Sequence, residues 1–270
     1  MYYFSEIVQV IGSFILLQKL KKQRNCAGVS LKMQEITAIW IGIRMFCDMT
    51  NYEMSEDQKL IQGLILTWLH FILDAILLGI TCTIIYMMRT SLRHTYIPEL
   101  DPLKKRYLVP PCVWLALIVH PPLKVAGHGH GFHAYSYWYV IIWATGVYCE
   151  TISVLPQLRM LQYSKVVESS TAHYIFCLGI SRFLVVCHWG IQFIEMNSYL
   201  WQAIFGPWMK YFQVGPKWRW QDAPEKGVWS SFVLLSEILQ SFLFVDFSFY
   251  YVANLSEGGG SLRLPSGMTV

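Results

Sequence analysis

Two arginines of this chain lie inside apolar stretches, where a charged side chain is unusual. Arg44 lies in segment 36–49 and Arg182 lies in segment 174–194. A charged side chain at membrane depth costs about 2.5 kcal/mol or more, so it normally faces a partner, a cavity or a ligand. Two guanidinium groups can grip a carboxylate through paired hydrogen bonds, and a water-poor site strengthens that contact. The two arginines therefore predict a site for an anionic ligand between membrane helices.

Other ionisable residues in the apolar stretches have the spacing of local pairs. Arg44 and Asp48 are four residues apart, and so are His70 and Asp74. Residues at this spacing lie on one helix face and can neutralise each other. We predict such a pair for His70 and Asp74. For Arg44 we favour binding of an external anion over pairing with Asp48.

The remaining ionisable residues do not form a catalytic or metal-binding pattern. We expect Glu150 and Asp246 to balance the charge of the two arginines when no ligand is bound. The histidine-rich loop 127–133 has no neighbouring cysteine or carboxylate ligands, so we interpret it as a solvated loop and expect no metal site and no cofactor. Motifs of hydrolases, zinc proteases and nucleotide-binding loops are absent from the sequence, which indicates that the protein is not an enzyme.

The composition is that of a membrane protein. Of the 270 residues, 54% are hydrophobic and 14% are charged, whereas a soluble domain carries about 25% charged residues. The 16% of aromatic residues suits membrane interfaces. A net charge of +4 is too small to indicate nucleic-acid binding, so membrane lipids are the expected surroundings.

The chain contains seven stretches that could form membrane helices. A spanning helix needs about 20 mostly apolar residues. The fourth stretch is the weakest, because proline pairs at 110–111 and 121–122 shorten it. The predicted spans are approximately 3–18, 33–51, 62–88, 107–123, 135–155, 173–194 and 228–252.

The distribution of basic residues between the loops predicts the orientation of these spans. The first, third and fifth loops contain twelve lysines and arginines, whereas the second, fourth and sixth contain six. Loops rich in basic residues face the cytosol. We therefore predict a lumenal or extracellular N-terminus and a cytosolic C-terminus.

A weak internal repeat relates the two halves of the chain. In each half a glutamine at the end of a predicted helix precedes, by 12 residues, a serine at the start of the next helix. Each of the two arginines then follows its glutamine by 25 or 26 residues. Interfaces between such repeats at mid-membrane often bind ligands. The glutamine–serine pairs are Gln18 with Ser30 and Gln157 with Ser169.

Several segments, together with the two arginines, resemble one known family. The chain is similar to the ER lumen protein-retaining receptors (KDEL receptors), and its length and segment 262–267 resemble the longer, plant-type receptor-like members. The most specific match is 150–158, within the matching segment 148–158, followed by 172–174. The other matching segments are 25–32, 50–52, 178–179, 188–189 and 245–247.

The resemblance implies an all-α membrane protein with seven transmembrane helices. Two three-helix bundles are expected to be joined by a fourth helix, the SWEET/PQ-loop-like arrangement. The whole chain, 1–270, would then form one transmembrane domain. Its expected parts are repeat one at about 1–88, a linker helix at about 107–123, repeat two at about 135–252, and a cytosolic tail at 253–270.

The resemblance also implies a function in the ER–Golgi circuit. Receptors of this family bind C-terminal Lys/His-Asp-Glu-Leu signals, the acidic tetrapeptides of lumenal ER proteins, and return these proteins to the ER in coated vesicles. The chain is thus expected in ER and Golgi membranes as a multi-pass protein with its N-terminus in the lumen. A vesicle coat is the expected partner on its cytosolic face.

The family's functional residues can be placed on this chain by its matching motifs. The two arginines match the family's carboxylate-gripping arginines. Asn51 matches a ligand contact at the lumenal mouth, Glu150 matches the acid that pairs with the sixth-helix arginine, and Trp189 matches the pocket wall. Asp246 matches the seventh-helix aspartate needed for the transport cycle.

The chain departs from the family at several ligand-facing positions. Tyr2, Gln9 and Gln192 replace two arginines and a histidine, and Val140 replaces the acid that receives the ligand's basic residue. The loss of these charged contacts would weaken tetrapeptide binding. The alternative function is a small-solute transporter on the same SWEET/PQ-loop-like scaffold, which the Pro156-Gln157 pair and the repeat would suit.

Overall fold

The chain folds into helices with a few short strands. The computed structural model describes residues 2–54, 61–103, 105–120, 124–126, 132–134, 137–163, 166–195, 224–256 and 262–263. Eight α-helices lie within this part of the chain: α1 Tyr2–Gln23, α2 Leu31–Met54, α3 Ile61–Arg89, α4 Lys105–Ile118, α5 Tyr137–Ser153, α6 Leu155–Tyr163, α7 Ser169–Glu195 and α8 Pro224–Ser256. Two antiparallel strand pairs join β1 (Lys124–Ala126) to β2 (Phe132–Ala134) and β3 (Val166–Val167) to β4 (Leu262–Arg263).

Several of these helices are suited to a bilayer by length and composition. Four apolar helical segments of the described chain are long enough to cross a membrane: Trp68–Arg89, Tyr137–Leu161, Ser169–His188 and Leu235–Ser256. Helices α1 and α2 coincide with the first two predicted spans and extend beyond them. Helix α4 has 14 residues and a length of about 21 Å, which is shorter than the hydrocarbon core of about 30 Å. It ends before Pro121-Pro122, as predicted, but it continues through Pro110-Pro111, so the prediction that the first proline pair shortens it is wrong.

The predicted fifth span, 135–155, ends at a turn that separates helices α5 and α6. Helix α5 ends at Ser153, Val154 is a turn residue, and α6 begins at Leu155 with Pro156 in its first turn. Proline is well suited to a first turn because its missing N–H group would have no helical partner there. The break directs Gln157 towards the connection between α1 and α2.

Helices from the two halves of the chain pack against each other. The most extensive packing is between α1 and α7, followed by α2 with α5 and α7 with α8. Glycines allow this close approach, as in many membrane-protein interfaces. A Cβ atom added to Gly12 would lie 2.7 Å from the Cβ of Cys177, and one added to Gly146 would lie 2.8 Å from Ile43.

The connections that carry the excess of basic residues meet at one end of the bundle. The buried side chain of Gln157 accepts a hydrogen bond from the Ser30 backbone N–H over 2.9 Å. Asp101 accepts hydrogen bonds from the Ser30 hydroxyl (2.9 Å) and the Tyr96 hydroxyl (2.8 Å). Burial, together with the hydrogen bond to Asp101, raises the pKa of Tyr96 well above its ordinary value, so its hydroxyl remains a donor. These bonds bring together the first, third and fifth predicted loops.

We expect Gly12→Ala to lower the stability of the protein, because its methyl group would overlap α7. Overpacking of this kind typically costs about 1–3 kcal/mol. The matched control is Gly42→Ala, since a methyl group there meets no atom within 4 Å. Thermal unfolding in detergent should show a lower midpoint for the Gly12 variant alone. Equal midpoints for both variants would contradict the tight α1–α7 contact.

Candidate functional site

The two predicted arginines meet at the ring of a buried tryptophan. Trp40 and Arg44 lie four residues apart on α2, so they occupy one face of that helix. The Cζ atom of Arg44 lies 4.7 Å from the centroid of the Trp40 ring, and the Cζ atom of Arg182 lies 5.8 Å from it. Guanidinium groups at such distances are attracted to the indole. The expectation that Arg44 and Arg182 lie close together is thus met in the fold.

Arg182 is paired with Glu150 between α7 and α5. Its side chain is 3% exposed, and its Nη1 atom donates a hydrogen bond to Oε1 of Glu150. Glu237 on α8 is close enough for its charge to act on both Arg182 and Glu150. A charge-assisted bond in a region of low dielectric is stronger than the same bond in water. Glu150 therefore has the pairing role that the sequence resemblance implied.

Arg44 is held by carboxylates from two other helices. Its Nε atom donates to Oδ2 of Asp74 over 2.6 Å and its Nη2 atom donates to Oδ1 of the same residue. Glu6 on α1 lies 3.5 Å from Nη2 of Arg44. The Oε1 atom of Glu6 is also 2.6 Å from Nδ1 of His70. These contacts join α1, α2 and α3.

His70, Asp74 and Arg44 form contacts with other helices, while the ligand atoms of His70 and Asp74 also lie within 4.8 Å of each other. The local pairs His70–Asp74 and Arg44–Asp48 stay predictions, and the contacts between helices are an addition that the spacing did not indicate. His70 pairs with Glu6, and Asp74 pairs with Arg44. Tertiary packing determines which helices approach each other. The spacing of residues along one helix carries no information about these approaches.

Two acids of this site, Glu6 and Glu237, were not predicted as site residues. Glu6 is the only charged residue in segment 2–18, and that isolation was the signal that could have identified it. Glu237 occupies a similar position within apolar α8, and both side chains are buried. Asp246, which was expected to balance the arginines, has a side chain that lies outside the described residues. Glu237 is the α8 acid that the structure describes beside Arg182.

Acids outnumber arginines in this group of residues. We define the polar cluster as Glu6, Trp40, Arg44, Asp74, Glu150, Arg182 and Glu237. With every acid ionised, its four carboxylates exceed its two guanidinium groups, and His70 stands beside it. An excess of buried charge of one sign is unfavourable unless a cation or a proton compensates it. The arginines are therefore not vacant anion sites, because each one already holds a carboxylate of the protein.

Several polar atoms at the cluster lack a hydrogen-bond partner among the described residues. They include Nε1 of Trp40, Nε of Arg182 and Oε2 of Glu237. Gln240, one turn along α8 from Glu237, is 1% exposed, and neither atom of its amide is hydrogen-bonded. Buried polar groups are almost always paired, so such exceptions require an explanation. The unpaired atoms include both hydrogen-bond donors and acceptors, so a polar ligand or ordered water could bind to them.

Three ionisable side chains of the cluster region are close enough to hold a metal ion. One ligand atom each from Glu6, His70 and Asp74 lies within 4.8 Å of the others. However, Asp74 receives hydrogen bonds on both oxygens from Arg44, and Glu6 contacts His70. The ion pairs account for this arrangement, so we interpret Glu6 and Asp74 as members of the polar cluster with His70 beside them, and not as a metal centre.

Some predicted residues cannot be compared with this geometry. Asn51, Trp189 and Asp246 lie on α2, α7 and α8, but their side chains fall outside the described part of the structure. Most of the histidine-rich loop 127–133 falls outside it as well. The roles of these residues stay predictions.

The chain matches a family model and curated proteins along most of its length. The family model described as ER lumen protein retaining receptor matches residues 25–192. An ER lumen protein-retaining receptor of Plasmodium falciparum is 28% identical over 265 residues, which cover 96% of this chain and 94% of the relative. ER lumen protein-retaining receptor 2 of Danio rerio is 25% identical, and receptor B of Arabidopsis thaliana is 24% identical; each comparison covers 97% of this chain and 96% of the relative. The relatives named here are receptors, so the transporter alternative gains no support.

We expect Gln240→Leu to raise the thermal stability of the ligand-free protein. Leucine fills the same space and removes two buried polar atoms without partners, whereas a purely structural glutamine would destabilise the protein when replaced. Gln34→Leu is the matched control, because buried Gln34 donates to the Tyr174 hydroxyl over 2.8 Å. The unfolding midpoint should rise for the Gln240 variant and fall for the Gln34 variant. A fall in both would show that Gln240 has a partner within the fold.

Proposed function

Because the chain belongs to the ER lumen protein-retaining receptor family, we propose that it binds the C-terminal Lys/His-Asp-Glu-Leu signals of lumenal ER proteins. It is a retrieval receptor of ER and Golgi membranes and not an enzyme. Such a receptor carries its cargo back to the ER by vesicle transport. The observation that carries the proposal for the binding site is Arg182, a buried guanidinium that lies between three helices and retains an open donor.

In this proposal Arg182 and Arg44 bind the carboxylates of the signal peptide. A ligand carboxylate would bind Arg182 by replacing or sharing the contact with Glu150. The open Nε atom of Arg182 offers a first hydrogen bond before that exchange is complete. Because the exchange replaces one ion pair with another, its energetic balance can lie close to neutral and remain reversible. A retrieval receptor needs reversible binding, since it must release its cargo in the ER.

The backbone of an extended peptide would suit the remaining open groups. A peptide offers N–H donors and carbonyl acceptors in alternation. The peptide N–H groups could donate to the unpaired acceptors on Glu237 and Gln240. The peptide carbonyl groups could accept from the unpaired donors on Trp40 and Gln240. We further propose that Asn51 and Trp189 contribute the lumenal mouth and a wall of the site, and that Asp246 acts in the transport cycle.

We propose the family's seven-helix architecture for the membrane domain. Helices α1–α3 would form the first three-helix repeat, at about 1–88, and α4 the linker helix, at about 107–123. Helices α5 to α8 would form the second repeat, at about 135–252, with α5 and α6 as one broken span. The packing of α1 on α7 and of α2 on α5 supports two interlocked halves.

We propose that the N-terminus faces the lumen and that the tail, 253–270, faces the cytosol. The contacts among the first, third and fifth loops support their placement on one side of the membrane. The basic residues of these loops assign that side to the cytosol. The same face would meet a vesicle coat, while the exposed apolar residues of the helices contact membrane lipids.

The binding test uses purified protein in nanodiscs and a fluorescent peptide that ends in Lys-Asp-Glu-Leu. We expect wild-type protein to bind it and Arg182→Ala to abolish measurable binding, because the variant removes a charge-assisted contact worth about 1.5–3 kcal/mol and leaves Glu150 unpaired. The matched control is Arg159→Ala, which removes an exposed arginine on α6. Fluorescence anisotropy measures both affinities.

Two outcomes would contradict this proposal. Equal peptide affinity of wild-type protein and Arg182→Ala would show that Arg182 does not bind the peptide. The peptide should be tested with wild-type protein at acidic and at neutral pH. If it binds at neither pH, the receptor recognises a different signal.

A further inference from the structure

The contact between Arg44 and Asp74 occupies the side of the guanidinium that a ligand carboxylate would use. Asp74 receives two hydrogen bonds from Arg44, through Nε and Nη2, and its side chain is 1% exposed. This two-point contact is the geometry in which arginine binds any carboxylate most strongly. The indole of Trp40 covers one face of the same guanidinium at 4.7 Å. Asp74 thus has the position and the chemistry of a bound ligand.

A competing group that belongs to the protein has a large advantage over a dissolved one. Helix α3 fixes Asp74 beside Arg44, so its effective concentration exceeds that of a free peptide. Its displacement would also leave a buried carboxylate without a partner, which is strongly unfavourable. The nearest cationic alternative, His70, already contacts Glu6. A ligand carboxylate therefore gains little at Arg44 as long as Asp74 remains ionised and in place.

We propose that Asp74 is a built-in competitor that reduces the affinity of Arg44 for ligand carboxylates and so determines which ligands the receptor accepts. The inference rests on the proposed function, because it takes Arg44 as an anchor for the signal peptide. Removal of the negative charge from Asp74 releases two guanidinium donors in a site that excludes most water. Glu6, at 3.5 Å, remains as a weaker partner that keeps Arg44 in position.

The test measures peptide affinity for Asp74→Asn in nanodiscs. The probe is a peptide that ends in Lys-Asp-Glu-Leu, used once with a free C-terminal carboxylate and once with a C-terminal amide. We expect the variant to bind the free-carboxylate peptide at least tenfold more tightly than wild-type protein does, a change of about 1.4 kcal/mol. The gain should be smaller for the amide, because the amide carries one carboxylate fewer. If wild-type protein binds the free-carboxylate peptide measurably, unchanged or weaker binding by Asp74→Asn would overturn the inference.

The matched control removes a carboxylate from an arginine pair outside the polar cluster. Glu35 on α2 is buried and accepts a hydrogen bond from Arg89 on α3, so Glu35→Gln breaks a similar link between the same two helices. We expect it to leave peptide affinity unchanged. A gain in Glu35→Gln equal to that in Asp74→Asn would mean that the effect comes from looser helix packing, and the inference would fail. Asp74→Leu, which removes the charge and every hydrogen-bond acceptor of the side chain, serves as a second variant and should show the same gain.

A second measurement does not depend on the signal peptide. Phenylglyoxal reacts with accessible guanidinium groups, and mass spectrometry reports modification at each arginine. We expect Arg44 to react several times faster in Asp74→Asn, or in Asp74→Leu, than in wild-type protein. Equal rates would overturn the inference. Faster labelling of Arg44 combined with no peptide binding by any variant would support Asp74 as the competitor and count against the proposed ligand alone.

Discussion

A guanidinium group that is removed from water must have a carboxylate within reach, and this constraint organises the centre of the protein. The pair of Arg182 and Glu150 links α7 to α5, and Glu237 adds a third helix to the same electrostatic contact. Loss of one member of a buried pair typically costs about 3–5 kcal/mol, because it leaves the other charge uncompensated. The close packing of α1 on α7 and of α2 on α5 keeps the partners at bonding distance. Fold and site therefore depend on the same contacts.

The two arginines are chemically alike, but their surroundings give them different properties. Arg44 is held at two points by Asp74 and approached by Glu6, so it joins three helices of the first half of the chain. Arg182 has one hydrogen-bonded acid and an open Nε atom. The contacts of Arg44 hold its side chain in a fixed position. Arg182 retains a hydrogen-bond donor that a ligand could use. Arg44 thus supports the packing of the helices, and Arg182 keeps an unused donor beside the same ring of Trp40.

Part of this arrangement could be predicted from the sequence. The apolar stretches located the helices, the Pro121-Pro122 pair marked the end of α4, and the two embedded arginines identified the residues that meet at Trp40. These features follow from local composition and from the rule that a charge in an apolar stretch must be compensated. The partners of Arg44 could not be predicted in this way, because Asp74 and Glu6 reach it through the approach of α3 and α1. Spacing within one helix indicates only Asp48, and the favoured expectation for Arg44 was an external anion.

The most direct test of the central claim exchanges the two members of the Arg182–Glu150 pair. Arg182→Glu and Glu150→Arg should each lower the unfolding midpoint strongly, because each places two like charges in contact within the membrane. The double variant restores opposite charges and should recover much of the thermal stability, measured as the unfolding midpoint in detergent. A double variant that is as unstable as the sum of the two single changes would show that the pair does not hold the site together.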